Sequence, residues 1–263
     1  MKKILEICFA VIILWPKLYS QSGEVIVPDR PGLGESAHII LLGSFQIESG
    51  FNVEWNNDLE ENRKSYTFNS TTLRYGISQS LEIRAVLGLQ QNYFFKFQER
   101  EATELGLSPF SLGFKTRITE NHGLKPRIAL LGNLTIPYAA SKSFRATHVA
   151  PSILLPMEWD ISKQLLLTFN TGTSWEEGYT EPVFFNSLSL DVLLLMNLGV
   201  FIESYVDIEK RGLFFPGLDA GIVWRLKPNL QIDLSAGIGL TDEMADGFVN
   251  FGLSYRISRK QEK

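Results

Sequence analysis

The chain has 263 residues, of which 44 % are hydrophobic and 21 % charged, and a formal net charge of −4. A single cysteine, Cys8, excludes a disulfide scaffold, and the acidic balance argues against nucleic acid as a partner. Polar and apolar residues in near balance fit a soluble domain, and equally a membrane barrel with lipid on one side of each strand and water on the other.

Residues 1–20 read as a secretory signal peptide. Lys2 and Lys3 precede an apolar run from Ile4 to Trp15, and Ser20 is a small residue at a cleavage position. The run is too short to hold the chain in a bilayer as a helix. Cys8 lies deep in that run, with no lipid-attachment motif around it. Removing the signal leaves a more acidic mature chain without cysteine. The segments expected after it are a periplasmic N-terminal stretch (21–38), a barrel (39–258) and a charged tail (259–263).

Period-two alternation runs through the rest of the chain and predicts β-strands. In 45–55, Phe45, Ile47, Ser49, Phe51, Val53 and Trp55 share one face, opposite Gln46, Glu48, Gly50, Asn52 and Glu54. Residues 64–77 make a poorer strand. Tyr66 and Phe68 have one parity there, and Leu73, Tyr75 and Ile77 the other. A β-bulge between them accounts for the change of phase. In 81–89 the leucines, Ile83 and Ala85 oppose Glu82, Arg84, Val86 and Gly88; in 110–118 Phe110, Leu112, Phe114, Thr116 and Ile118 oppose Ser111, Gly113, Lys115 and Arg117. Further apolar faces run from Ile128 to Tyr138, Val149 to Trp159, Leu165 to Trp175, Phe184 to Met196, Leu198 to Ile208, Leu218 to Leu226, Leu230 to Leu240 and Val249 to Ile257. The expectation is an all-β, up-and-down antiparallel transmembrane barrel of about twelve strands.

Across the eleven regular strands the apolar parity holds 63 positions without one Asp, Glu, Lys or Arg. The other parity holds 14 charges in 52 positions. No choice of frame empties so many positions by itself in a chain that is one-fifth charged. Connections also alternate in length. Ser78–Ser80, Asp160–Lys163, the turn around Asn197 and Lys227–Asn229 are short, and Glu120–Lys125 is somewhat longer. Asn92–Pro109, Glu176–Pro182 and Thr241–Gly247 read as longer, polar loops. Short turns at one end and long loops at the other are the habit of outer-membrane barrels.

Three features favour a membrane over a soluble barrel. The strands are long enough to cross a bilayer when tilted. Small residues on the polar parity, Gly113, Gly172, Gly199, Gly221, Gly237 and Gly239, suit a wall facing water better than a packed core. Aromatic residues gather near both strand ends: Tyr75, Trp159, Trp224 and Tyr255 on the short-turn side, and Trp55, Tyr93, Phe110, Tyr138, Trp175 and Phe184 on the other. Outer-membrane lipid is therefore an expected partner, in a Gram-negative cell. The aromatic face of Phe248–Ser258 suits an assembly signal for the barrel-assembly machinery, although the charged tail Arg259–Lys263 follows it.

Residues 28–36, Pro28-Asp29-Arg30-Pro31-Gly32-Leu33-Gly34-Glu35-Ser36, precede Gly43-Ser44-Phe45-Gln46-Ile47-Glu48-Ser49-Gly50-Phe51. This order resembles the start of the MetA-pathway phenol-degradation family of outer-membrane barrels. The resemblance implies a transporter for small molecules, with aromatic or other hydrophobic compounds among them. From the residues themselves, Asp29, Arg30, Pro31 and Glu35 lie in a charged, Gly- and Pro-rich segment. Two readings stand: the segment tucks against the periplasmic mouth and pairs with lumen charges, or it hangs as a loose linker.

The charges expected to line the lumen are Glu48, Glu54, Glu82, Arg84, Lys115, Arg117, Glu158, Asp191, Glu203, Asp207, Asp219, Arg225, Asp233 and Arg256. Arg84, Lys115 and Arg117 cluster on adjacent strands, and five acids from Asp191 to Asp233 spread over the far wall. Either they set up a transverse field that favours cations, or they pair with one another and merely solvate the wall. Enzymatic chemistry is not expected. Of His38, His122 and His148, only His148 falls on a strand near the outer edge. Ser152 lies four residues along, roughly 13 Å at about 3.3 Å per residue, too far for base activation. No metal cluster, cofactor motif or phosphate loop stands out. The functional expectation is passive passage of small-molecule solutes; the alternative is a non-conducting structural or surface-interaction barrel.

Overall fold

The computed structural model describes residues 25–258 except 58–60, 97–98, 146–147, 176–180, 210–211 and 243. The expected signal peptide and the charged tail lie outside the described residues. The alternating segments form antiparallel strands in chain order. β1 (Phe45–Asn57) and β2 (Glu61–Gly76) are followed by β3 (Leu81–Leu87) and β4 (Leu89–Lys96), two halves of one wall strand broken at Gly88. β5 (Glu99–Leu107) and β6 (Phe110–Thr119) are the halves of the next, broken at Ser108 and Pro109. The wall continues through β7 (Arg127–Ile136), β8 (Ala150–Asp160), β9 (Leu165–Ser174), β10 (Val183–Leu195), β11 (Leu198–Ile208), β12 (Phe214–Lys227), β13 (Leu230–Gly239) and β14 (Gly247–Ile257). β14 pairs back onto β1 from Phe45 opposite Ile257 to Trp55 opposite Gly247. The sheet therefore closes as a twelve-stranded up-and-down barrel, and the edge left over is that of β5, which pairs with β4 alone.

The change of phase in 64–77 has its cause at Phe68 and Asn69. Gly50 pairs with Ser70 but Asn52 with Thr67, so two residues of β2 stand opposite Phe51. Beyond this bulge β2 also changes partner, from β3 at Thr71–Gly76 to β4 at Glu61–Thr67. The stretch expected as a long loop, Asn92–Pro109, is instead mostly strand. β4 and β5 pair from Leu89 opposite Leu107 to Lys96 opposite Glu99. This hairpin rises past the barrel rim, and β5 is almost wholly exposed on both faces. Such a strand has water on both sides, so no alternation marks it in the sequence. His148, expected on a strand, lies just before β8 begins at Ala150.

Burial is inverted relative to a soluble protein. Arg74, Lys115, Gln46, Gln231, Glu48, Glu82, Glu158 and Glu203 rank among the largest fully buried side chains, while Ile83, Phe114, Leu188, Leu234 and Phe251 stand exposed. Soluble chains do the reverse. The exposed belt faces hydrocarbon. Ile222 sits midway along β12 with 49 % of its surface exposed. Ile222→Lys is expected to cost about 2–4 kcal/mol, the usual penalty for a cation at the bilayer midplane. Urea unfolding in lipid vesicles reads that loss.

The inner side of the wall is more crowded than a water-filled pore requires. A Cβ at Gly221 would run into the ring of Phe201, and one at Gly237 into the ring of Phe248. These glycines make room for inward-facing aromatic rings, so the expectation that they face water is corrected at these two positions. The short turns lie at the end where β1 begins; there Gly123 takes a positive φ of 62° in the tight turn His122–Lys125.

Candidate functional site

Residues 26–40 run inside the barrel rather than below it. Pro28, Pro31, Gly32 and Gly34 keep this stretch out of regular structure, so its backbone N–H groups need other acceptors. Inward-facing side chains of the wall supply them. The N–H of Asp29 donates to Glu48 (2.9 Å) and that of Ile40 to Glu82 (2.9 Å). Leu33 and Gly34 donate to the two oxygens of Glu203 at 2.7 and 2.9 Å, and Glu35 to Asn170 at 3.2 Å. A Cβ on Gly34 would lie 2.6 Å from the Glu203 carboxylate and 2.6 Å from the Asn170 amide. Any larger residue there would have to push both side chains aside.

The side chains of the segment are bound as tightly as its backbone. Asp29 meets Lys115 at 2.7 Å, Arg74 at 2.9 Å and Arg84 at 3.1 Å, and accepts the N–H of Ser36 at 3.1 Å. Glu35 meets Arg84 at 2.8 Å and Lys115 at 3.5 Å. Arg74 also reaches Glu82 (2.7 Å) and Glu48 (2.8 Å), and donates to the carbonyl of His38 (3.1 Å). Arg30 lies over the facing pair Gly50 and Gly252, donating to Asn250 at 2.6 Å and contacting Asp233 at 3.4 Å. Pro31 is buried beside it.

The other expected lumen charges divide by height. Asp191 accepts from Ser189 at 3.0 Å and, with Arg225, borders an inner cavity of about 120 Å³. Glu54 and Asp207 border an outer cavity of about 540 Å³. The segment separates the two cavities and lines both. Asp219 is buried directly across from Glu203 on the neighbouring strand, and Arg256 is buried in β14. Arg117 lies at the short-turn rim, paired with Glu120 at 2.6 Å. Glu158 pairs with Arg127 at 2.8 Å, and Arg127 with Asp160 at 3.2 Å. Of the basic cluster expected to face open lumen, Arg84 and Lys115 therefore face acids of the segment, and Arg117 does not join them.

Sequence reasoning passed over Arg74, Arg127, His38 and Asn170. The parity of Leu73, Tyr75 and Ile77 already turned Arg74 inward. The backbone donors of the segment carried no signal at all, because any residue but proline has one.

Burial alone would raise the Asp29 carboxyl, but Arg74, Lys115 and Arg84 outweigh it and hold it well below the ordinary value of 3.8. Its contribution to stability is present above that value and vanishes only in far stronger acid. Glu35 is raised, chiefly by burial, against the pull of Arg84. Its protonation on acidification therefore favours the folded state. His38 is lowered from 6.5, first by burial, with Glu158 opposing and Arg127 assisting. The neutral ring accepts from Arg127 at 2.9 Å through Nε2. Below 6.5 the released state takes up the proton that the bound ring resists, so this contact weakens as the pH falls. Conductance in planar bilayers is expected to rise modestly as the pH falls below 6.5, and His38→Gln is expected to remove that rise. Below the ordinary Asp value of 3.8 the released carboxyl takes up a proton that the bound one resists, so a conductance that shows no further rise in that acid range would contradict the Asp29 latch.

The model of the family described as "Putative MetA-pathway of phenol degradation" matches residues 28–257. No curated protein matches the sequence. Among solved structures, the COG4313 outer membrane channel from Pseudomonas putida F1 is similar with a TM-score of 0.70 at 8 % identity, over 86 % of this chain and 99 % of that one. The β domain of the Bordetella autotransporter BrkA follows with a TM-score of 0.55 at 10 % identity, over 81 % and 99 %. The NanC porin has a TM-score of 0.52 at 6 % identity, over 80 % and 98 %. At such identities these likenesses concern the fold, and together with the lipid-facing belt they place the barrel in the outer membrane. With nearly the whole barrel and its N-terminal segment under the family model, the chain belongs to the MetA-pathway phenol-degradation family of barrels.

Proposed function

We propose that this protein is a passive outer-membrane channel for small molecules, hydrophobic and aromatic ones among them, with residues 26–40 as its gate. The observation that carries the reading is the division of one lumen into an outer cavity of about 540 Å³ and an inner one of about 120 Å³ by a segment of the same chain. The segment is held by polar bonds rather than by a ladder of strands, so it can leave without opening the wall. Inward-facing Phe201, Tyr205, Phe215 and Phe248 give the path apolar surface beside its carboxylates. The density of ion pairs around Asp29 supports the second reading, a permanently closed structural barrel.

Solute flux into proteoliposomes separates the two. The mature chain is expected to pass small solutes slowly, and a variant lacking 25–36 to pass them faster. A deletion variant that folds and still excludes every solute supports the closed barrel.

A further inference from the structure

We propose that the outer cavity binds organic cations, molecules with an aromatic or aliphatic body and an ammonium head. The inference rests on the channel reading in taking this cavity as part of the solute path; binding itself is measured without transport. The cavity of about 540 Å³ lies within the usual range for small-molecule sites, about 300–1,000 Å³.

Its lining pairs aromatic rings with carboxylates across neighbouring strands. Asp207 of β11 stands directly opposite Phe215 of β12, and Glu54 of β1 directly opposite Phe248 of β14. Tyr205 is one inward step from Asp207 on β11, and Glu209 lies just beyond the end of that strand. The rings are seated by glycines on the next strand: Tyr205 faces Gly217 and Phe248 faces Gly237. A Cβ on Gly217 would come within 2.5 Å of the Tyr205 ring. Each carboxylate thus borders an aromatic ring of fixed position.

That combination selects for charge. A ring face attracts a cation through its quadrupole, and a carboxylate on the adjacent strand adds to the attraction. Among the described residues lining the cavity Arg30 is the cation, and it is already engaged by Asn250 at 2.6 Å and Asp233 at 3.4 Å. An anionic solute is repelled by the carboxylates of Glu54 and Glu209. A neutral one gains only the apolar contacts.

The test compares phenethylamine, phenethyl alcohol and phenylacetate by calorimetric titration of the purified mature chain in detergent. Phenethylamine is expected to bind about tenfold more tightly than the alcohol, and phenylacetate most weakly. In Glu54→Gln/Asp207→Asn the amine loses most of its advantage over the alcohol, whose own binding is unchanged. Equal affinities for amine and alcohol in the native chain overturn the proposal, whatever the variant does. The same overturning follows if a folded double variant keeps the full native preference. Flux of the three probes into proteoliposomes is the separate arm. Charge-selective binding without flux refutes the channel reading and leaves the site, whereas flux with equal affinities does the opposite.

Discussion

Asp29→Ala opens the barrel: in planar bilayers the conductance of the mature chain is expected to rise several-fold. One carboxylate stands within 3.1 Å of three cations, Arg74, Arg84 and Lys115, all of them nearly or fully buried. Truncating it leaves those charges facing one another with only Glu35, Glu48 and Glu82 to divide among them. Removing one partner from a buried ionic cluster costs roughly 3–5 kcal/mol. That cost falls on the weaker structure. The wall is held by long antiparallel ladders that close the barrel from β14 onto β1. The segment is held by scattered bonds to side chains, each worth roughly 0.5–1.5 kcal/mol net. It therefore leaves, and water enters to solvate the exposed cations. Asp29→Glu keeps the charge and is expected to restore part of the closure. An unchanged conductance in an alanine variant that keeps its native resistance to heating in detergent would show that Asp29 does not hold the gate.

How far the sequence foretold this depends on what physical contrast each element carries. The wall was legible because lipid forbids charge, and that rule empties one parity of every transmembrane strand. Strand β2 was half legible. Its bulge at Phe68 and Asn69 showed as a change of phase, and past it the parity of Leu73, Tyr75 and Ile77 turned Arg74 inward, but nothing in the sequence named the acids it meets. The β4–β5 hairpin was not legible, since Glu99, Arg100, Glu101 and Glu104 meet water on both faces and leave no period. The glycines of β12 and β13 were visible as small residues. That Phe201 and Phe248 fill the space above them depends on register between strands, which composition does not carry. For the segment, Asp29, Arg30 and Glu35 stood out as charges among Gly and Pro. Their partners lie far away along the chain: Lys115 is 86 residues from Asp29, and the Glu203 that accepts from Leu33 is 170 residues away. Only closure of the barrel brings such groups together.

Arg74 is the residue whose loss should damage wall and gate at once. Its Nε and one terminal nitrogen grip the two oxygens of Glu82 at 2.7 and 2.9 Å, and the other terminal nitrogen reaches Glu48 at 2.8 Å and Asp29 at 2.9 Å. Glu82 in turn accepts the N–H of Ile40 and Glu48 that of Asp29, so the guanidinium positions two of the acceptors that hold the segment. Arg74→Met would bury three carboxylates without their shared cation, at a cost of roughly 3–5 kcal/mol for the broken cluster. Arg74→Lys restores a charge but not the fork. An ammonium is a compact point with three donors and cannot hold Glu82 in parallel while reaching two further acids. The expected order of stability in urea titrations within lipid vesicles is native, then Lys, then Met. Conductance should rise in the same order, because each step loosens Asp29 as well as the wall. A lysine variant as stable and as closed as the native chain would mean that charge alone, and not the planar geometry of the guanidinium, locks the segment in place.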